Sequence, residues 1–136
     1  MDTIEQARDA LAKARRDFQR DMKWLRSRYG IIPEPESHQL KPALVACLDA
    51  LEKGDLEGMK RAHASFVTLH RSIMAHVAWH LLERTKRALK PMRDSDPALF
   101  EQKLALWNKA SWAYTNAQFR QHMDQYRACI RTVVRI

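Results

Sequence analysis

The chain has 136 residues, a length typical of one domain and sufficient to bury a core. Its 24 Lys and Arg exceed its 16 Asp and Glu, and the net charge of +8 suits nucleic acid, an anionic membrane surface or an acidic protein. The two isolated Cys exclude a disulfide scaffold. The chain has only three Gly and five Pro and is rich in Ala, Leu, Arg and Lys, which favours helices over strands.

The first predicted helix covers about residues 3–29. Its apolar residues recur at steps of three and four, and Gly30 is a residue type that commonly ends helices. Pro33 and Pro35 then disfavour helical backbone. Residues 30–38 are therefore predicted to form a linker.

A helical hairpin is predicted next. A short second helix covers about residues 42–53, Gly54 ends it, and Asp55 caps the following helix. That third helix covers about residues 56–90 and stops at Pro91. Its predicted core face consists of Met59, Phe66, Ile73, Val77 and Leu81.

The last predicted helix begins at the Asp96-Pro97 pair, an N-cap followed by proline, and covers about residues 97–134. After Asn116 the apolar residues move to the opposite side of the helix. Either the helix breaks near Asn116, or its two halves are buried against different partners, the second being another copy of the chain. We expect a homodimer that involves residues 119–133.

These elements predict an all-α fold in a single domain covering residues 1–136. The predicted architecture is an elongated antiparallel bundle of three long helices and one short helix. The charged residues 1–30 contain no visible signal peptide, and the longest apolar run is too short to span a bilayer. Cys47 and Cys129 are far apart in sequence, which favours a reducing, cytoplasmic location.

The positive charge is concentrated in residues 59–93, which contain eight Lys or Arg and one acid, Glu83. Phosphates are bound by positive charges spaced along a surface. The predicted contacts to nucleic acid or another anionic partner are Lys60, Arg61, Arg71, Lys86, Arg87, Lys90, Arg127, Arg131 and Arg135. Trp24 and Trp79 are the predicted interface aromatics, because an exposed Trp stacks on an unpaired base or anchors a protein contact.

Four histidines lie on the third predicted helix. His63 and His70 fall on its core stripe, whereas His76 and His80 form a His-x3-His pair, the spacing that places two imidazoles on one helix face. No carboxylate follows the first two at helical spacing, and no Glu-x-x-His repeat is present. We therefore expect hydrogen-bonded core histidines, with no metal and no cofactor.

No catalytic motif is found in the chain: it lacks a P-loop, a Gly-x-Ser-x-Gly elbow and a His-Glu-x-x-His motif. Cys129 lies between Arg127 and Arg131, which favours a lowered thiol pKa, but a lone helical Cys is more often a core residue. The sequence thus predicts a non-catalytic basic helical protein that binds DNA or RNA mainly through phosphate contacts. The alternative is an adaptor or inhibitor that docks on a larger, nucleic-acid-handling or acidic protein.

Overall fold

The computed structural model describes residues 2–33, 40–120 and 122–136. Every regular element in these residues is a helix, so the all-α prediction is confirmed. The described helices are α1 (Ile4–Tyr29), α2 (Leu40–Lys53), α3 (Leu56–Leu89), α4 (Met92–Ser95), α5 (Pro97–Arg120) and α6 (Met123–Val133). This differs from three long helices and one short helix, mainly because the predicted last helix is two helices.

Both ends of α1 are set by side chains and backbone within one turn. The Thr3 hydroxyl accepts a hydrogen bond from the backbone N–H of Gln6 at 3.1 Å. At the other end Gly30 has a left-handed φ of 66°, and its N–H donates to the carbonyl of Arg26 at 3.0 Å. Glycine adopts this conformation without a Cβ penalty, which explains why the helix ends there.

The predicted hairpin between the second and third helices is present. Gly54 has a φ of 69° after the last turn of α2, and the carboxylate of Asp55 accepts from the N–H of Gly58 at 2.9 Å. α2 begins at Leu40, two residues before its predicted start, so Pro42 lies in the first turn. Of the predicted linker, residues 31–33 are not helical, and residues 34–38 lie outside the described part of the chain.

The residues group into two compact units, Met1–Ile73 and Met74–Ile136, called here the N-terminal and C-terminal units; α3 continues from one into the other. The core of the N-terminal unit is formed by α1, α2 and the first part of α3. One cluster joins Ala7, Leu11, Cys47, Ala50, Met59 and Ala62. A second cluster joins Ala14, Leu40, Phe66 and Ile73.

The predicted core face of the third helix is largely correct. Met59, Phe66, Ile73 and Val77 are buried, with at most 6% of their surface exposed. Leu81 is half-buried, and the neighbouring Leu82 is the buried residue instead.

The prediction of one continuous helix over residues 97–134 is wrong. α5 ends at Arg120, His122 has extended backbone with φ −92° and ψ 118°, and α6 begins at Met123 and packs against α5. The apolar side changes because the chain turns back on itself. The break lies a few residues after Asn116, where the pattern had changed.

This break removes the reason for predicting a homodimer through residues 119–133. Tyr126, Ile130 and Val133, which would have faced a second copy, are at most 3% exposed within the chain itself. Phe119, which was predicted to share their interface, is not buried, since 85% of its surface is exposed. Separately, none of the described helices combines the length and the apolar composition that crossing a bilayer requires.

Candidate nucleic-acid interface

Most of the net charge belongs to the C-terminal unit. Residues 74–136 contain eleven Lys or Arg against five Asp or Glu, a balance of +6 out of the chain's +8. None of these eleven cationic residues is buried. A field of one sign over a small unit attracts polyanions and raises their association rate. We therefore place the positively charged part of the candidate site in the C-terminal unit.

A row of aromatic and lysine side chains lies where α3 and α5 pack within the C-terminal unit. Trp79 on α3 contacts Tyr114 on α5, with ring centroids 5.9 Å apart and planes tilted by 40°. Two turns further along α3, the Lys86 ammonium lies 5.8 Å from the ring centroid of Trp107 on α5. We call Trp79, Tyr114, Lys86 and Trp107 the aromatic–lysine row.

Neighbouring groups hold the aromatic–lysine row in place. The indole N–H of Trp107 donates to the backbone carbonyl of Leu82 at 2.9 Å. The Tyr114 ring makes an edge contact with Tyr126, which is 3% exposed, at a centroid distance of 5.9 Å. Fixing these rings in the folded protein lowers the conformational entropy that a ligand would otherwise have to remove on binding.

Trp79 is the aromatic residue of the row best placed to meet a ligand. Its surface is 48% exposed, although one side of the indole contacts Tyr114. The prediction that Trp79 lies at the surface is thus confirmed. Trp24, the other predicted interface aromatic, is half-buried in the N-terminal unit and makes an edge contact with Tyr29 at 5.2 Å.

The nine predicted cationic contacts all lie outside the core, but they belong to different units. Lys60, Arg61 and Arg71 are in the N-terminal unit, and the other six are in the C-terminal unit. Lys86, Arg87 and Lys90 are exposed, and among the described residues Arg87 and Lys90 form no ion pair. Lys90 directly follows the last residue of α3, four residues after Lys86, and adds a further positive charge at this end of the helix.

Two of the predicted contacts are already engaged by acids. The Lys60 ammonium lies 3.2 Å from the Glu57 carboxylate. The Arg127 guanidinium lies 2.7 Å from the Asp124 carboxylate, and its side chain is only 17% exposed. These pairs reduce the charge that the two cations present to a partner. Arg131 and Arg135 on and after α6 remain exposed.

Sequence reasoning did not identify a second aromatic surface on α5. Trp112 and Phe119 are 69% and 85% exposed, and their spacing of seven residues places them on one face of the helix. The sequence pattern places both residues on one stripe with the apolar residues of α6. Because the chain turns between α5 and α6, the residues of this stripe on α5 are exposed, whereas those that follow on α6 lie in the core.

No family model, curated protein or solved structure matches this chain.

The histidines fall into two environments. His70 is buried as predicted, and its Nε2 lies 2.9 Å from the carboxylate of the buried Asp21 on α1. The Phe18 ring makes an edge contact with the imidazole, with centroids 5.4 Å apart. Within the described residues, every buried side-chain nitrogen and oxygen has a hydrogen-bond partner. This is a structural pair inside the N-terminal unit.

His76 and His80 are hydrogen-bonded, as predicted, but the prediction that they are core residues is wrong. Both are exposed on α3, and their Nε2 atoms lie 2.9 Å from one another. No third His, Cys, Asp or Glu joins them, or forms a metal-binding group elsewhere, among the residues that the structure describes.

The two cysteines are buried and free. Burial raises the pKa of Cys129 to about 12, and it also raises the pKa of Cys47. Cys129 is therefore a protonated core thiol, and the alternative of a thiolate activated by its arginine neighbours is not supported.

Proposed function

We propose that this chain binds nucleic acid through its C-terminal unit, mainly by phosphate contacts, with Trp79 stacking on an unpaired base. The observation that carries the proposal is the aromatic–lysine row, which combines a supported, half-exposed indole with cations on the same helix. Proteins that bind single strands use this combination of charge and aromatic platforms. The role is one of binding and not of catalysis.

The phosphate contacts are assigned to cations that are exposed at the surface of the C-terminal unit. Lys86, Arg87 and Lys90 lie within one and a half turns at the end of α3, and Arg131 and Arg135 add charge from the end of the chain. Lys60 and Arg127 contribute less, because each is paired with a neighbouring carboxylate. Buried free thiols at Cys47 and Cys129 support a cytoplasmic setting for this function.

The test of the phosphate contacts is a salt titration of binding. Fluorescence anisotropy of labelled single-stranded DNA, RNA and duplex DNA is measured with wild type and with Lys86→Gln/Lys90→Gln. We expect weaker binding to all sequences, and a slope of log affinity against log salt that is flatter by about 0.7–0.9 for each lost contact. Lys13→Gln/Lys41→Gln is the control, because it removes the same charge from exposed positions of the N-terminal unit.

The test of base stacking uses two exposed tryptophans of one unit. Trp79→Ala is expected to weaken single-strand binding by about 1–3 kcal/mol, which is roughly 5- to 150-fold. Duplex binding should change little, since paired bases do not stack on a side chain. Trp112→Ala is the control, because that side chain is more exposed yet lies outside the aromatic–lysine row. Equal effects of the two changes would contradict a stacking role for Trp79.

A second candidate function is docking on a larger protein as an adaptor or inhibitor. Exposure of Trp112 and Phe119 on one face of α5 favours it, since aromatic residues are enriched at the centres of protein interfaces. In this case the wild type binds none of the three nucleic acids at moderate salt. Partner binding would then depend weakly on salt and would be lost in Trp112→Ala.

A further inference from the structure

Two cavities lie next to one another on α1 in the N-terminal unit. The larger has a volume of 490 Å³, and most of its lining is apolar: Phe18, Met22, Ile31, Ile32 and Pro33. The smaller has a volume of 220 Å³ and shares the Phe18 ring. Ligand pockets have volumes of about 300–1,000 Å³, so the larger cavity has the size of a small-molecule site.

Packing within the unit fixes the walls of the larger cavity. The Phe18 ring makes edge contacts with Phe66 and His70, at centroid distances of 5.9 and 5.4 Å. Just after α1, the N–H of Ile31 donates to the carbonyl of Leu25 at 3.0 Å, which holds the chain where Ile31 lines the same cavity as α1. Walls that are already ordered lower the conformational entropy that is lost when a ligand binds.

The larger cavity leaves apolar surface in contact with solvent. Ile32 is 58% exposed, and Met22 is half-buried. A bound apolar group would remove this surface from water, which is favourable in proportion to the area covered. Met22 is unbranched and adapts its shape to the group that it contacts.

The polar part of the lining is positively charged. Lys23 and Arg26 line the larger cavity, and Arg15 and Lys41 line the smaller one; all four are exposed. Among the described residues, no Asp or Glu lines either cavity. Cations of one sign around an apolar depression attract an anion and leave an anionic head group in water.

We infer that the larger cavity binds a free long-chain carboxylate, with the alkyl chain against Phe18, Met22 and Ile32 and the carboxylate at Lys23 and Arg26. The apolar lining selects the chain, and charge complementarity selects the head group. A neutral lipid satisfies only the first requirement and inorganic phosphate only the second. The site belongs to the N-terminal unit and is independent of the nucleic-acid binding proposed for the C-terminal unit.

The deciding experiment titrates the full-length protein with octanoate, decanoate and dodecanoate by calorimetry, at concentrations below micelle formation. We expect one saturable site, with an affinity that rises about fourfold for each added methylene group that becomes buried. Decanol has the same chain as decanoate without the charge, and it should bind about fivefold or more weakly.

The apolar wall is tested with a matched pair of exposed residues. Ile32→Ser should weaken dodecanoate binding by about fivefold or more, because it removes part of the surface that the chain covers. Val45→Ser is the control, since Val45 is 56% exposed, close to the 58% of Ile32, and lies in the same unit outside both cavities.

The head-group contact is tested with charge removal. Lys23→Gln/Arg26→Gln should lower the affinity for dodecanoate by about fivefold or more but leave that for decanol unchanged. Arg8→Gln/Lys13→Gln is the control, because it removes the same charge from exposed positions of α1 outside both cavities. Circular dichroism checks that each variant is folded.

The inference is overturned if the wild type shows no saturable dodecanoate binding, or if affinity does not depend on chain length. Equal losses in Ile32→Ser and Val45→Ser would also overturn it, because the chain would then lie outside the cavity. Binding to vesicles that contain phosphatidylglycerol, without binding to free dodecanoate, would assign the positive charge to a membrane surface instead.

Discussion

Replacing Asp21 by Ala should destabilise the N-terminal unit strongly. The Asp21 and His70 side chains are 3% and 8% exposed, and their Oδ2 and Nε2 atoms are 2.9 Å apart. Asp21→Ala removes this acceptor and leaves the imidazole buried beside Phe18 without it. A buried polar group that loses its partner cannot form a hydrogen bond to water in the folded protein, so the folded state is destabilised relative to the unfolded state.

The size of the effect follows from this burial. Leaving a buried donor unsatisfied costs about 1–3 kcal/mol, and truncating the buried Asp21 side chain also removes its packing contacts. We expect a loss of about 3 kcal/mol in the free energy of unfolding, at the upper end of that range. That loss is a large part of the roughly 5–15 kcal/mol by which proteins are stable. The expected drop in Tm is about 10 °C.

The assay is urea unfolding at neutral pH, followed by circular dichroism, with the change taken from the midpoint at constant slope. Asp49→Ala is a matched control. Asp49 also lies in a helix and approaches its partner, Lys53, at the same 2.9 Å, but these side chains are 56% and 68% exposed. Its removal should change stability by no more than about 0.5 kcal/mol.

A double variant separates the lost partner from the lost packing. Asp21→Leu/His70→Leu replaces both polar groups by apolar ones, and it should regain part of the stability lost in Asp21→Ala, because the imidazole is no longer buried without this acceptor. The reasoning is refuted if Asp21→Ala costs no more than Asp49→Ala. A double variant as unstable as the single one would show that the Asp21–His70 contact does not account for the loss.

Three further predictions concern the C-terminal unit. Cys129 has a pKa of about 12 in the folded protein and near 9.0 in the unfolded chain. Its contribution to stability is therefore fully present below pH 9 and is lost as the pH rises toward 12. In urea unfolding, the stability of Cys129→Ala should decline less steeply with pH over that range than the stability of the wild type. Trp107→Phe should cost about 1 kcal/mol in thermal unfolding, since it removes the hydrogen bond to Leu82. Ile130→Ala should cost about 2–5 kcal/mol, whereas Phe119→Ser should cost less than about 0.5 kcal/mol; the reverse order would favour the continuous helix and its dimer.

The sequence by itself determined the helical class and most helix ends. Gly30 and Gly54 end their helices in left-handed conformations, and Asp55 and Asp96 accept hydrogen bonds from N–H groups three residues later. These signals are readable because a helix end depends on groups within one turn of the chain. The buried positions of α3 were also largely predictable, since the 3.6-residue period fixes which side chains share a face.

The tertiary structure decided which faces meet. The change of apolar side after Asn116 fitted either a break or a second partner, and only the packing of α6 on α5 selected the break. The pairing of Asp21 with His70 joins residues 49 positions apart, so no local pattern contains it. Exposure of His76 and His80 likewise depends on which faces of α3 its neighbours cover. Helical periodicity gives each helix its faces, but the register between helices is set by long-range packing.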